Sequence, residues 1–184
     1  MNAGLFFICG PHTCGKTSIL KALEADGDIV FRGSEIGKDL YYERRFHTEG
    51  AGDAFEFEVA ERELKRDHAI IHCLGAAGVE TWHPGNMAYA AVRNPETVPL
   101  LREKAMMSPF INSARGVWIQ ISEDEMRKRT KTFHHEKDWA WDFYNRINNQ
   151  LDYCFKLINL RDRITVIDGN RPLDAVIADV KAVL

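Results

Sequence analysis

The chain has 184 residues, of which 45% are hydrophobic and 28% charged, with a formal net charge of −3. It therefore reads as one globular domain with enough length to bury a full core. The slightly acidic balance excludes a wholesale nucleic-acid binder, and no stretch reaches the ~18 apolar residues of a membrane span.

The first element is an apolar run, Leu5, Phe6, Phe7, Ile8 and Cys9, with the pattern of a buried parallel strand. It is too short for a secretory signal and runs straight into Gly10-Pro11-His12-Thr13-Cys14-Gly15-Lys16-Thr17-Ser18. That stretch is G-x-x-x-x-G-K-[ST], with a strand before it and, over 16–24, a helix with Ile19, Leu20 and Leu23 on its inner face. Gly10 and Gly15 allow a tight turn, so that successive N–H groups face one concavity. The helix N-terminus adds about half a positive charge, which favours a phosphate there. Lys16 supplies a mobile cation for the outer phosphates, and the Thr17 hydroxyl suits Mg²⁺. The motif predicts a nucleoside triphosphate site.

Cys9, Cys14, Cys73 and Cys154 show no metal-ligand spacing, so a reducing, cytoplasmic setting is expected. Cys14 lies near the helix N-terminus and Lys16, which favour a thiolate. The preferred reading is still a small side chain that fits the loop.

Residues 29–32 form a short second strand in this reading. A short helix or turn with Glu35 and Lys38 follows, placed beyond the strand's carboxyl end, where open α/β sheets put ligands. Residues 47–52 are loop-like. Asp53 and Glu56 resemble a capping box opening a long helix with Phe55, Val59, Leu64, Ile70, Ile71 and Leu74, broken at Gly75. Residues 76–80 read as a short strand ending in Glu80, and Trp82-His83-Pro84-Gly85 as a turn before helices on either side of Pro95.

Residues 116–121 are the clearest buried strand. Ser122 and Glu125 make a second capping box, opening a short helix that ends in Arg127, Lys128, Arg129 and Lys131. Residues 133–137 look like a mobile loop. Trp139, Phe143, Ile147, Leu151, Phe155 and Ile158 recur at helical spacing. Residues 164–168 make the last strand, and Pro172 precedes the last helix. Five strands separated by helices imply a three-layer α/β/α domain over 1–184, with a five-stranded parallel sheet.

The ordered stretches resemble the thymidylate kinase family, within the P-loop nucleoside and nucleotide kinases, over most of the chain. The segment with Glu35 is similar to the one that approaches the acceptor base and sugar, and Arg62 to the mid-helix arginine that grips the acceptor phosphate. Glu80-Thr81-Trp82 stands at the family's Asp-Arg-aromatic motif, with Tyr89 in its Ala-Tyr. The basic run around Arg127 and Arg129 resembles the lid (about 127–138), and Asp168-Gly169-Asn170-Arg171 the loop bordering adenine. The resemblance implies ATP and Mg²⁺ as cofactors and a thymidylate-like monophosphate acceptor, and it leaves room for a homodimer. Three departures stand out: Thr81 replaces an arginine that would bridge donor and acceptor phosphates, His12 replaces an acid, and Glu80 replaces Asp.

Phosphoryl transfer asks chiefly for in-line positioning and charge neutralisation. The catalytic candidates are Lys16, Glu80 and Arg129. Thr17 and Glu80 are the metal candidates, with Asp168 as the rival carboxylate. Gly10, His12, Thr13, Cys14, Gly15, Lys16, Thr17, Ser18, Arg127, Arg129, Asn170 and Arg171 are assigned to the nucleotide. Glu35, Arg45, Arg62, Trp82, Tyr89 and Arg93 are assigned to the acceptor, the arginines because a guanidinium matches phosphate bidentately. His134 and His135 lack ligand spacing. Two alternatives stay open: a nucleoside or other small-molecule kinase, and a nucleotide-binding switch or regulatory ATPase without acceptor chemistry.

Overall fold

A computed structural model describes residues 4–44, 52–132 and 138–184. Arg45, the 133–137 loop and its two histidines lie outside the described residues.

The strands are β1 (Gly4–Cys9), β2 (Phe31–Gly33), β3 (Ala76–Glu80), β4 (Arg115–Gln120) and β5 (Ile164–Asp168). They form one all-parallel sheet in the order β2-β3-β1-β4-β5. The helices are α1 (Lys16–Ala25), α2 (Ile36–Arg44), α3 (Gly52–Ile70), α4 (Trp82–Arg93), α5 (Val98–Met106), α6 (Glu123–Thr132), α7 (Asp138–Leu157) and α8 (Leu173–Lys181). This is the expected three-layer α/β/α architecture with a five-stranded parallel sheet.

Alternation along β1 divides the core into its two halves. Leu5, Phe7 and Cys9 face one side, where Val79, Trp82, Met87, Leu101 and Phe155 pack with them. Phe6 and Ile8 face the other, against Ile19, Leu20 and Leu23 of α1 and Val176 and Val180 of α8. A smaller cluster of Ile36, Leu40, Phe55 and Val59 clamps α2 onto α3. Ser122 caps α6, its hydroxyl accepting the Glu125 N–H at 3.2 Å. No helix among the described residues is long and apolar enough to cross a membrane.

Three expectations about element boundaries are corrected. Pairing of the second strand begins at Phe31 opposite Ala77, while Ile29, expected within it, is buried ahead of the strand. The long helix stops at Ile70, and Ile71 and Leu74, expected on its apolar face, are exposed. Trp82-His83-Pro84-Gly85 is the first turn of α4 and not a separate turn. Proline is tolerated there because a helix's first N–H groups have no partner within the helix.

Candidate active site

The phosphate loop carries the conformations its glycines require. Gly10 has φ 152°, and a Cβ there would lie 2.6 Å from the Ile119 carbonyl oxygen and 2.7 Å from Cys14 Sγ. Gly15 has φ 98° and opens α1. Lys16 is the first residue of α1 and is only 4% exposed. Its ammonium donates to the carbonyls of Gly10 at 3.2 Å and Pro11 at 3.1 Å. Burial, the largest single influence, disfavours this charge, but Cys14, Glu80 and Glu35 outweigh it and leave the Lys16 pKa raised. Burial raises the Cys14 pKa against the pull of Lys16. Cys14 is a packed thiol.

Sheet register brings Glu80 to this loop, because Ile8, two residues before Gly10, pairs with Glu80. Glu80 is 8% exposed, and its Oε2 accepts a hydrogen bond from Thr17 Oγ1 at 2.8 Å. A hydroxyl and a carboxylate oxygen side by side are hard donors of the kind Mg²⁺ takes, so these two residues fit the ion. The rival, Asp168, caps a turn instead, accepting the Asn170 N–H at 3.0 Å and its side-chain amide at 2.7 Å.

Lys16, Thr17, Ser18 and Glu80 line a cavity of about 280 Å³ together with Glu35 and Lys38, and His12, Thr13 and Gly15 complete its wall. Burial, with the charge of Glu80 adding to it, pushes the Glu35 pKa above the ordinary range, against Lys16, Lys38 and Arg93. Lys38 was missed as a site residue. Its signal was helical spacing, three residues after Glu35 and on the same face.

The remaining candidates divide. Tyr89 and Arg93 stand near Glu35: burial and then the Glu35 charge hold the Tyr89 phenol protonated. Arg93 lies over the Phe55 and Tyr89 rings, 5.1 and 5.2 Å from their centroids. Its guanidinium is held by the 1%-exposed Glu56, Nε to Oε1 at 2.9 Å and Nη2 to Oε2 at 3.2 Å. Arg62 pairs with Glu58 one turn back at 3.0 Å. His12 stacks on Tyr144 of α7 with centroids 4.7 Å apart.

Arg129 reaches the loop, donating to the Gly169 carbonyl at 2.8 Å and, at 3.5 Å, to that of Thr13, while Glu125 holds its Nε at 2.7 Å. Arg127 lies over the Trp141 ring at 3.8 Å and pairs with Glu123. Asn170 accepts the Ser122 N–H at 2.8 Å. Arg171, assigned to the nucleotide, is turned onto Asp179 and the Asp168 carbonyl, because α8 offers a carboxylate within reach. Trp82 is no pocket wall: it is fully buried against Phe7, with centroids 4.8 Å apart, and its N–H is bonded to Asp67.

No protein-family model and no curated protein matches the sequence. Solved structures match in fold. Deoxyadenosine kinase from M. mycoides, solved with the products dCMP and a flexible dCDP bound, has a TM-score of 0.65 at 9% identity, covering 97% of each chain. NadR in complex with NR has a TM-score of 0.76 at 12% identity, covering 98% of this chain and 50% of that one, so the chain spans half the length of NadR. These likenesses are of fold, and they do not single out thymidylate kinase.

Proposed function

We propose that the protein transfers the terminal phosphoryl group of ATP to a hydroxyl of a small acceptor, and that the acceptor is a nucleoside. The observation that carries this reading is the pairing of charges around the cavity. Glu35 and Glu80 stand opposite Lys16, whereas Arg93 and Arg62, the arginines expected to hold an acceptor phosphate, are engaged by Glu56 and Glu58. Thr81 adds no cation. A dianionic acceptor beside a triphosphate would meet uncompensated repulsion in a partly dry cleft. A neutral hydroxyl would meet Glu35, whose raised pKa brings it closer to the range where a carboxylate accepts a proton efficiently.

In this reading the loop N–H groups and Lys16 hold the phosphate chain and stabilise charge that develops on the transferred group. Thr17 and Glu80 would hold Mg²⁺, which supplies charge neutralisation between the outer phosphates. Glu35 orients the acceptor hydroxyl and takes its proton as the new P–O bond forms and ADP leaves. Tyr89 and Arg93 wall the acceptor side. The fold likeness to a deoxyadenosine kinase makes deoxynucleosides the first compounds to try.

Lys38 favours a second reading, a monophosphate acceptor with this ammonium as its cation. A panel of nucleosides and monophosphates scored for ADP release separates the two. Turnover with nucleosides supports the proposal. Turnover with monophosphates only, lost in Lys38→Ala, transfers the assignment to the second reading. ATP hydrolysis indifferent to every acceptor would leave a regulatory ATPase.

A further inference from the structure

The chain leaves β3 through an unusual pair of residues. Thr81 has φ 71° and ψ −57°, and Trp82 has φ 52°. A β-branched and a bulky residue in succession at positive φ are outliers, strained positions that persist only where the surroundings over-determine them. Here the surroundings do. The Thr81 N–H donates to the Ile8 carbonyl at 2.9 Å. Its carbonyl accepts the Cys9 thiol at 2.9 Å and the Gly85 N–H at 3.2 Å. A Cβ on Gly85 would come within 2.4 Å of the Thr81 methyl, so only glycine lets the turn close.

The second half of the clamp is one carboxylate. Asp67, from α3, is fully buried. It accepts the Trp82 indole N–H at 3.1 and 3.2 Å, faces His83 Nε2 at 2.9 Å and accepts the Ser108 hydroxyl at 2.5 Å. One turn along, Glu63 accepts the Asn86 amide at 3.0 Å. The strained turn is thus pinned to β1 on one side and to α3 on the other. Immediately before it stands Glu80, whose carboxylate reaches Thr17.

We propose that Asp67 is a positioning residue of the transfer site, acting through Trp82 and the strained turn to hold Glu80 beside Thr17. This rests on the reading of Glu80 given above. Without the Asp67 anchor the turn relaxes toward ordinary φ values, and the Glu80 carboxylate swings away from the phosphate loop.

Trp82→Phe tests this, because it keeps an aromatic ring against Phe7 while removing the N–H along with part of the indole's volume, and the melting temperature reports the packing loss. Nucleotide affinity is measured with Mg²⁺ and with EDTA, alongside kcat and the melting temperature, for Trp82→Phe, Glu80→Gln and the double variant. Trp82→Phe should lower kcat about tenfold and the Mg²⁺-dependent gain in nucleotide affinity about fivefold, changing affinity in EDTA less than about twofold. In the Glu80→Gln background the same substitution should change neither quantity beyond about twofold. Asp67→Asn should follow Trp82→Phe in direction, and if it fails to fold Trp82→Phe decides. Equal losses in both backgrounds, or a lower melting temperature with Mg²⁺-dependent affinity intact, would overturn the proposal. If no acceptor raises turnover the kinase reading fails, and the Mg²⁺-dependent affinity still decides the role of Asp67.

Discussion

The two sides of the proposed transfer site are built in different ways. The donor side is local: residues 10–18 supply the turn, the helix start, the lysine and the hydroxyl, and Lys16 finds its hydrogen-bond acceptors within its own loop. Glu80 arrives from elsewhere, delivered by strand register, and Arg129 reaches the loop from α6. The proposed acceptor side is assembled from separate pieces: Glu35 and Lys38 around the start of α2 line the cavity, Tyr89 and Arg93 of α4 stand near Glu35, and the Glu56 that holds Arg93 comes from α3. A phosphate chain is the same in every nucleotide, so one contiguous stretch can recognise it. An acceptor must be told from its relatives, and the groups that do so are set by tertiary packing.

Substitutions on each side test that division. Lys16→Ala should have the largest effect, a loss of about 10²–10³ in turnover. The fold should survive, because the lysine's hydrogen bonds go to carbonyls of its own loop. A folded variant with near-normal turnover in a coupled ADP assay would remove the donor site. Glu35→Gln comes next, costing about 10² if the carboxylate takes the acceptor's proton. Because burial raises the Glu35 pKa, the wild-type rate should fall as pH drops through a value above the ordinary glutamate 4.5, and this limb should vanish in the variant. A pH profile with the same limb in both proteins would assign it to another group.

Glu80→Gln should lower turnover by more than about tenfold while weakening ATP binding far less, with Asp168→Asn silent. The opposite pattern would exchange the two carboxylates. The smallest effects contrast the two arginines in denaturant unfolding. Arg93→Ala strands the buried Glu56 carboxylate and should cost about 3 kcal/mol, whereas Arg62→Ala breaks a partly exposed helix pair and should cost about 0.5 kcal/mol. With a nucleoside as acceptor, Arg62→Ala should also leave the acceptor KM unchanged. A tenfold rise on Arg62→Ala would return that arginine to the phosphate-binding role its place in the sequence suggests.

The phosphate-loop geometry was legible because its residues are contiguous, and the strand alternation and helical periods that built the sheet were legible for the same reason. What escaped the sequence depends on partners far along the chain. Trp82 reads as a pocket aromatic until Asp67 and Phe7 claim both its edge and its face. Arg93 and Arg62 read as free cations until α3 supplies their carboxylates. The start of α4 was hidden because Pro84 and Gly85 are turn residues by type, and only the two positive-φ positions ahead of them show how the helix begins. Cys14 was ambiguous for an electrostatic reason: the lysine and helix end that favour a thiolate sit in the same loop that buries it.

One arrangement in the phosphate loop bears on selectivity among anions. The Lys16 ammonium already has two carbonyl partners, so an incoming ligand competes with the loop itself for the cation. A small monovalent ion offers a single contact in exchange for two and gains little. A phosphate chain presents several oxygens along the loop at once and can replace both bonds while engaging the N–H groups around them. In the proposed reading the lysine thus sets a threshold of valency, with simple anions of a salt solution excluded and polyphosphate admitted.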